Sequence, residues 1–257
     1  MNKIIVNNDK INVYDNDNYS VNQNKIVFKK SGNYFLEYVD CHSLDLIFEV
    51  NSEISVSLSE LSFDNKINCN NKYVVGDKAF LIVNKFYNNI GVYENISVNL
   101  DGEGSRIDYN FSNICLGEEK YVIDINHNSK NTVSNISNKS VSLNNSDLNF
   151  VINSHVPSEM IDSVLNQNTR IITFGDCNTK VSPNMFIDTD LVIANHGSVI
   201  GTIKEDVIFY LMSRGINYND ALKLVIKGYL FSNISADADI RSKIYKVMDM
   251  YWGWIYE

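Results

Sequence analysis

The sequence has no run of about 18 apolar residues, so no membrane-spanning helix is expected. Only 2 prolines and 12 glycines occur in 257 residues. That is little for a protein built on tight hairpins, whose primed turns favour glycine. The 4 cysteines, Cys41, Cys69, Cys115 and Cys177, are scattered without a CxxC pair. They indicate neither a disulfide framework nor a preformed zinc or iron–sulfur site, and free thiols in a reducing compartment are expected. Basic residues are outnumbered, 22 Lys and Arg against 31 Asp and Glu, for a net charge of −9. No basic stripe is available to engage nucleic acid. No Walker-type loop occurs, and GEGS near Gly102 is too short to cradle a phosphate. The first residues, MNKIIVNNDK, lack the long apolar core of a signal peptide, so a cytoplasmic location is expected.

Short strands dominate what is present. KIIVNN, KINVYD, KIVFKK, NYFLEYV, LDLIFEV, ISVSLSEL, YVVGD, AFLIVNKF, ISVNLD, YVIDIN, LNFVIN, RIITF and LVIAN each combine β-branched or aromatic residues with period-2 alternation, and clusters of Asn, Asp, Ser and Gly separate them. Only Val156–Gln167 suggests a helical turn. Such regular spacing fits a sandwich, a barrel or a β-solenoid. Asparagine tolerates left-handed backbone and stacks in ladders at solenoid corners, which favours the solenoid.

After Gly201 the period changes. Glu205–Arg214 places Val207, Ile208, Leu211 and Met212 on one helical face, with acids in the first turn, Arg214 in the last, and Gly215 at the C′ position. Asn217 caps a second helix that is expected to stop at Gly228, with Ala221, Leu222, Leu224 and Val225 as its apolar face. Ser235 is the expected cap of a third helix reaching about Met250. The tail YWGWIYE is aromatic, with no basic residues beside it, and is expected to pack on the domain or a partner rather than a membrane. The division is therefore a β-helix core over 1–203 and a helical region over 204–257.

His196 stands at the change of period and is the best site candidate, because a neutral imidazole ligates iron or zinc and moves protons near pH 7. The residues around it form a recognisable pattern: His196-Gly197, Ile200-Gly201, the acidic pair Glu205-Asp206, Phe209-Tyr210-Leu211, Ser213-Arg214-Gly215-Ile216, Ala221 and Gly228. This segment resembles the C-terminal signature of the SufB/SufD family, scaffolds of the SUF iron–sulfur cluster assembly machinery. Upstream, His127, Thr132, Ser134 and Lys139 resemble that family's H…T-x-S…K stretch, and the similarity spans roughly Tyr73 to Ile234.

The resemblance implies a right-handed parallel β-helix with C-terminal helices, in a short, core-only member whose strands begin almost at residue 1. It also implies that the chain is not itself an enzyme and binds no cofactor stably alone. Iron or a cluster would pass through transiently. His196 would face a SufB-type partner or a second copy, with His127 a weaker candidate. Glu205, Phe209, Tyr210, Arg214 and Gly215 would dock SufC, the ATPase of the system. In SufB-type members a cysteine and a glutamate build the cluster. Those positions fall here on Asn168 and Gly197, so the chain resembles SufD, with Cys177 the one nearby thiolate. Three alternatives remain: a SufB-like scaffold acting as a homodimer in a minimal system, a polysaccharide-acting β-helix enzyme using carboxylates such as Asp124, Asp188 and Asp190, and a structural solenoid with no chemistry.

Overall fold

A computed structural model describes residues 2–12 and 17–251. The strands are β1 (Asn2–Asn7), β2 (Lys10–Asn12), β3 (Tyr19–Asn22), β4 (Lys25–Phe28), β5 (Gly32–Val39), β6 (Ile47–Val50), β7 (Ser55–Phe63), β8 (Lys66–Val75), β9 (Phe80–Asn88), β10 (Gly91–Leu100), β11 (Arg106–Cys115), β12 (Glu118–His127), β13 (Val133–Ser142), β14 (Asp147–Val156), β15 (Ser163–Thr173), β16 (Asn178–Ile187) and β17 (Val192–Gly201). From β5 on they alternate between two sheets, and each strand pairs in parallel with the strand two places on. The result is a β-solenoid of about six turns. Its interior is filled by the inward half of each alternation, from Ile4 through Tyr109 and Phe150 to Ile171.

Asparagine plays two parts. Asn8, Asn131 and Asn145 take left-handed backbone at turns, together with acidic residues such as Asp9 and Asp162. Side-chain ladders run from coil to coil at the corners, where Asn128 donates to Asp101 at 2.7 Å and Asn131 to Glu103 at 3.1 Å, and also across the strands. Asn195 donates to Asn166 at 3.1 Å, Asn166 to Asn135 at 2.8 Å and Asn135 to Asp108 at 2.7 Å. On the other sheet Asn184 donates to Asn153 and Asn153 to Asp124, at 2.9 and 2.7 Å. Each such bond contributes on the order of 1 kcal/mol. Val156–Gln167 holds no helix: β14 ends there, a turn follows, and β15 begins at Ser163.

The interior also holds ionisable groups. Lys85 Nζ lies 2.5 Å from Glu94 Oε1 and 3.9 Å from Glu60, all three side chains fully buried. Tyr73 and Tyr38 donate to Glu60, and Asn71 donates to Glu94. Burial raises the Glu60 carboxyl above its ordinary range, against the pull of Lys85.

Three helices follow: α1 (Glu205–Ser213), α2 (Tyr218–Phe231) and α3 (Ala238–Tyr251). They bury Ile208, Ala221, Leu222, Ile226, Leu230, Ile240, Ile244 and Met248 against Phe35, Leu61, Phe86, Ile114 and Val141 on the outer face of the longer sheet. Asn233 fixes this dock by donating to the carbonyls of Phe111 and Ser137.

Three helical expectations need correction. α2 runs through Gly228 to Phe231, because Ile226 and Leu230 continue its buried face while Leu224 points to solvent. Asp237, not Ser235, caps α3, its carboxylate accepting from the Ile240 amide at 3.0 Å. On α1 only Ile208 is fully buried, and Val207 and Met212 are exposed. The tail after Tyr251 lies outside the described residues, and none of the described helices is long and apolar enough to cross a membrane.

Candidate functional site

The two ends of the solenoid differ. At one end the outermost strands, β2 and β3, are short and antiparallel to their neighbours. At the other end β16 and β17 are ten-residue edges, paired on one side only. Burial fades there: β16 is half-buried along most of its length and β17 is exposed through its centre. Phe186, Leu191, Ile193, Val199 and Ile200 are all exposed, Ile193 by 61%. A long, apolar, unpaired edge is what a sheet presents to a partner.

His196 sits at the centre of this edge. Its register partner is Gln167, whose side chain points into the solenoid. His196 therefore stands on the inward face of the last coil, yet is open to solvent because no coil follows. Beneath it Gln167 donates to Ser154 Oγ at 2.7 Å and to the Asn184 carbonyl at 3.2 Å, while its own Oε1 is buried without a partner. Gly197, the next residue, is in register with the exposed Asn168.

The other candidates are not gathered around His196. His127 is completely buried at the end of β12, with Nδ1 2.7 Å from Thr132 Oγ1 and Nε2 2.9 Å from Ser134 Oγ. Both ring nitrogens are engaged by hydroxyls, and burial lowers its pKa to about 4. The H…T-x-S stretch is thus one hydrogen-bonded unit, with no nitrogen free for iron. Cys177 is half-buried just before β16 and receives a weak bond from Thr179. Burial pushes the Cys41 thiol up to about 12 and the Cys69 and Cys115 thiols higher. Such thiols are poor ligands until deprotonated. Among the described residues no three of His, Cys, Asp or Glu converge to hold a metal ion. Asp124 is tied into an asparagine ladder.

A second surface adjoins the edge. α1 ends in a Schellman motif: Gly215, at φ +87°, donates to the Met212 carbonyl, and Ile216 donates to the Leu211 carbonyl. Asn217 then caps α2, its side chain accepting from the Asp220 amide at 2.9 Å. The α1–α2 corner is therefore fixed at both sides. It turns Phe209, 74% exposed, and Tyr210 outward, with the Arg214 guanidinium 5.4 Å over the Tyr210 ring. Glu205 and Gly215 are exposed beside them, whereas Leu211 packs into the helix–sheet cluster. A cleft of about 530 Å³ runs below, lined by Phe174, Ile203, Ile208, Phe209 and Leu222 among others.

The structure is thus a parallel β-solenoid with one open edge and, beside it, a capped helical corner displaying aromatics. The chain belongs to the family described as SUF system FeS cluster assembly, SufBD core domain, whose model matches residues 16–229. It is 38% identical over 64 residues to the iron–sulfur cluster assembly protein SufD of Escherichia coli, covering 25% of this chain and 15% of that one. It is 43% identical over 56 residues to SufD of Bacillus subtilis, 22% and 12% of the two chains. With SufD of Plasmodium berghei it shares 36% over 62 residues, 23% of this chain and 5% of the other. The matched stretches thus span only a small part of these relatives.

Proposed function

We propose that this protein is a SufD-like scaffold of the SUF machinery, binding a SufC-type ATPase through α1 and pairing through β16 and β17 with a SufB-type protein or with itself. The observation that carries the reading is the coincidence of His196 with the centre of the unpaired apolar edge. An imidazole there is accessible to a metal, yet among the described residues it has no companions that would complete a metal site. A partner docked on the edge would enclose it and supply further ligands.

In this reading iron or the nascent cluster is cargo, and the chain itself catalyses nothing. His196 binds or hands on iron, or moves a proton at its free ring nitrogen. Asn168 and Gly197 bring no thiolate or carboxylate, so cluster-building ligands come from the partner. Phe209, Tyr210 and Arg214 have the chemistry of interface anchors. ATP-driven movement of the bound ATPase, transmitted by the α1–α2 corner into the last coil, would strain the edge and open the site.

Anaerobic reconstitution with iron and sulfide, of the chain together with a SufC-type ATPase, tests His196. His196→Ala is expected to lower iron loading severalfold while the fold and ATPase binding persist. Unchanged loading would remove His196 from the mechanism.

A further inference from the structure

Gln167 stands one coil below His196 on the same inward column of the longer sheet, and its side chain is buried. Its amide is committed at one end only. Nε2 donates to Ser154 Oγ and to the Asn184 carbonyl. A backbone carbonyl only accepts, so the amide nitrogen is the end that faces it, and the orientation of the group is fixed. That orientation leaves Oε1 buried and, among the described residues, without a partner.

Donors are scarce around that oxygen. The residue below Gln167 on the column is Ile136, and Leu165 precedes it on the inward face of β15. On β16, Pro183 and Met185 are in register with the buried Ile152 and Ser154, and neither carries a side-chain donor. The Thr169 hydroxyl, on the next column, is engaged by Asn138. The residue above Gln167 is His196, whose ring carries an N–H. A buried carbonyl oxygen left unpaired is costly, and an imidazole N–H placed on it removes that cost. Adjacent coils are about 4.8 Å apart, so rotation of the His196 side chain toward the interior brings ring and amide within about 2.9 Å without moving the backbone.

We infer that Gln167 is a positioning residue for His196: its Oε1 accepts a hydrogen bond from one ring N–H, holds the imidazole in a single tautomer, and leaves the other nitrogen, with its lone pair, turned to the open end for iron. This rests on the reading of His196 as the group that handles iron. A ligating histidine is oriented by whatever its second nitrogen bonds, and a carbonyl oxygen is one of the usual partners. The amide carbonyl does this without placing a charge in the interior. His127 shows the opposite arrangement in the same chain, because hydroxyls engage both of its nitrogens and leave none for a metal.

Nitrogen-15 NMR of the metal-free full chain at pH 8 tests the inference, with the His196 signals identified among the 4 histidines by their loss in His196→Gln. Wild-type His196 is expected to show one protonated and one unprotonated ring nitrogen, well separated in shift. Gln167→Met keeps the length and apolar stem but removes the carbonyl. It is expected to change the tautomer ratio about tenfold, the shift that one net hydrogen bond supplies. Ser154→Ala disturbs the same interior contact while keeping Oε1, and should leave the ratio as it is. A ratio indifferent to Gln167→Met, or lost equally in Ser154→Ala, would overturn the inference. So would averaged ring shifts in the wild type, a result that does not depend on any variant folding. Iron loading of the same samples separates the two levels. Loading that needs His196, with a ratio indifferent to Gln167, defeats the positioning role alone. A ratio set by Gln167, with loading indifferent to His196→Ala, defeats the iron reading and leaves the ring held.

Discussion

Asn168 and Gly197 are register partners on adjacent coils, β15 and β17, both turned outward at the open end of the solenoid. They lie far apart in sequence, yet the fold makes them neighbours beside His196. By resemblance they stand where a cluster-building member carries cysteine and glutamate, so the structure puts both substituted positions in one place. A Cβ added at Gly197 would meet nothing within 4 Å. The double variant Asn168→Cys/Gly197→Glu is therefore expected to fold, with stability changed by less than about 1 kcal/mol. After anaerobic reconstitution it should show thiolate-to-iron absorption that the wild type lacks. A melting curve and a visible spectrum check both parts.

His127 makes stability depend on pH. Its folded pKa is lowered from 6.5 to about 4, by burial. The unfolded chain therefore takes up a proton at higher pH than the folded one. The stabilisation is fully present above about pH 6.5 and is lost as pH falls toward 4, amounting to roughly 3 kcal/mol. Urea unfolding at pH 7.5 and 5.0 should show about 2 kcal/mol of this loss in the wild type. His127→Gln should reduce the dependence while lowering stability at pH 7.5, because Thr132 and Ser134 lose a ring that bonds both.

Lys85 offsets two buried carboxylates and lies 4.5 Å over the Tyr87 ring. Removing one partner of a buried pair leaves an uncompensated charge. Lys85→Met is expected to cost about 3–5 kcal/mol. The double variant Lys85→Met/Glu94→Gln should recover a large part of that loss, as read from urea midpoints at pH 7.

The architecture was legible in the sequence because apolar alternation marks strands and caps mark helices. Asn217 and Gly215 sit where their types predict. Strands such as β11, β13 and β16 were harder to see, because RIDYNFSNIC, VSNISNKSVS and NTKVSPNMFI carry asparagines and serines that read as separators. Within the solenoid those side chains are ladder rungs, a use that depends on the neighbouring coil and leaves no local signal. The buried Lys85–Glu94 pair escaped for the same reason. The exposure of His196 on an open edge follows from which coil is last, which the local sequence around it does not encode.

The proposed docking of a SufC-type ATPase on the α1–α2 corner would place Phe209 in the interface. Phe209 is 74% exposed, so Phe209→Ala should change stability by less than about 0.5 kcal/mol. If it anchors the interface, its loss costs at least 2 kcal/mol of binding, about thirtyfold in Kd. Titration calorimetry of the chain with a SufC-type ATPase is the direct measurement. Saturable binding by the wild type is expected, with a Kd about thirtyfold weaker for Phe209→Ala. No binding by the folded wild type, or equal affinity of the two proteins, would contradict it.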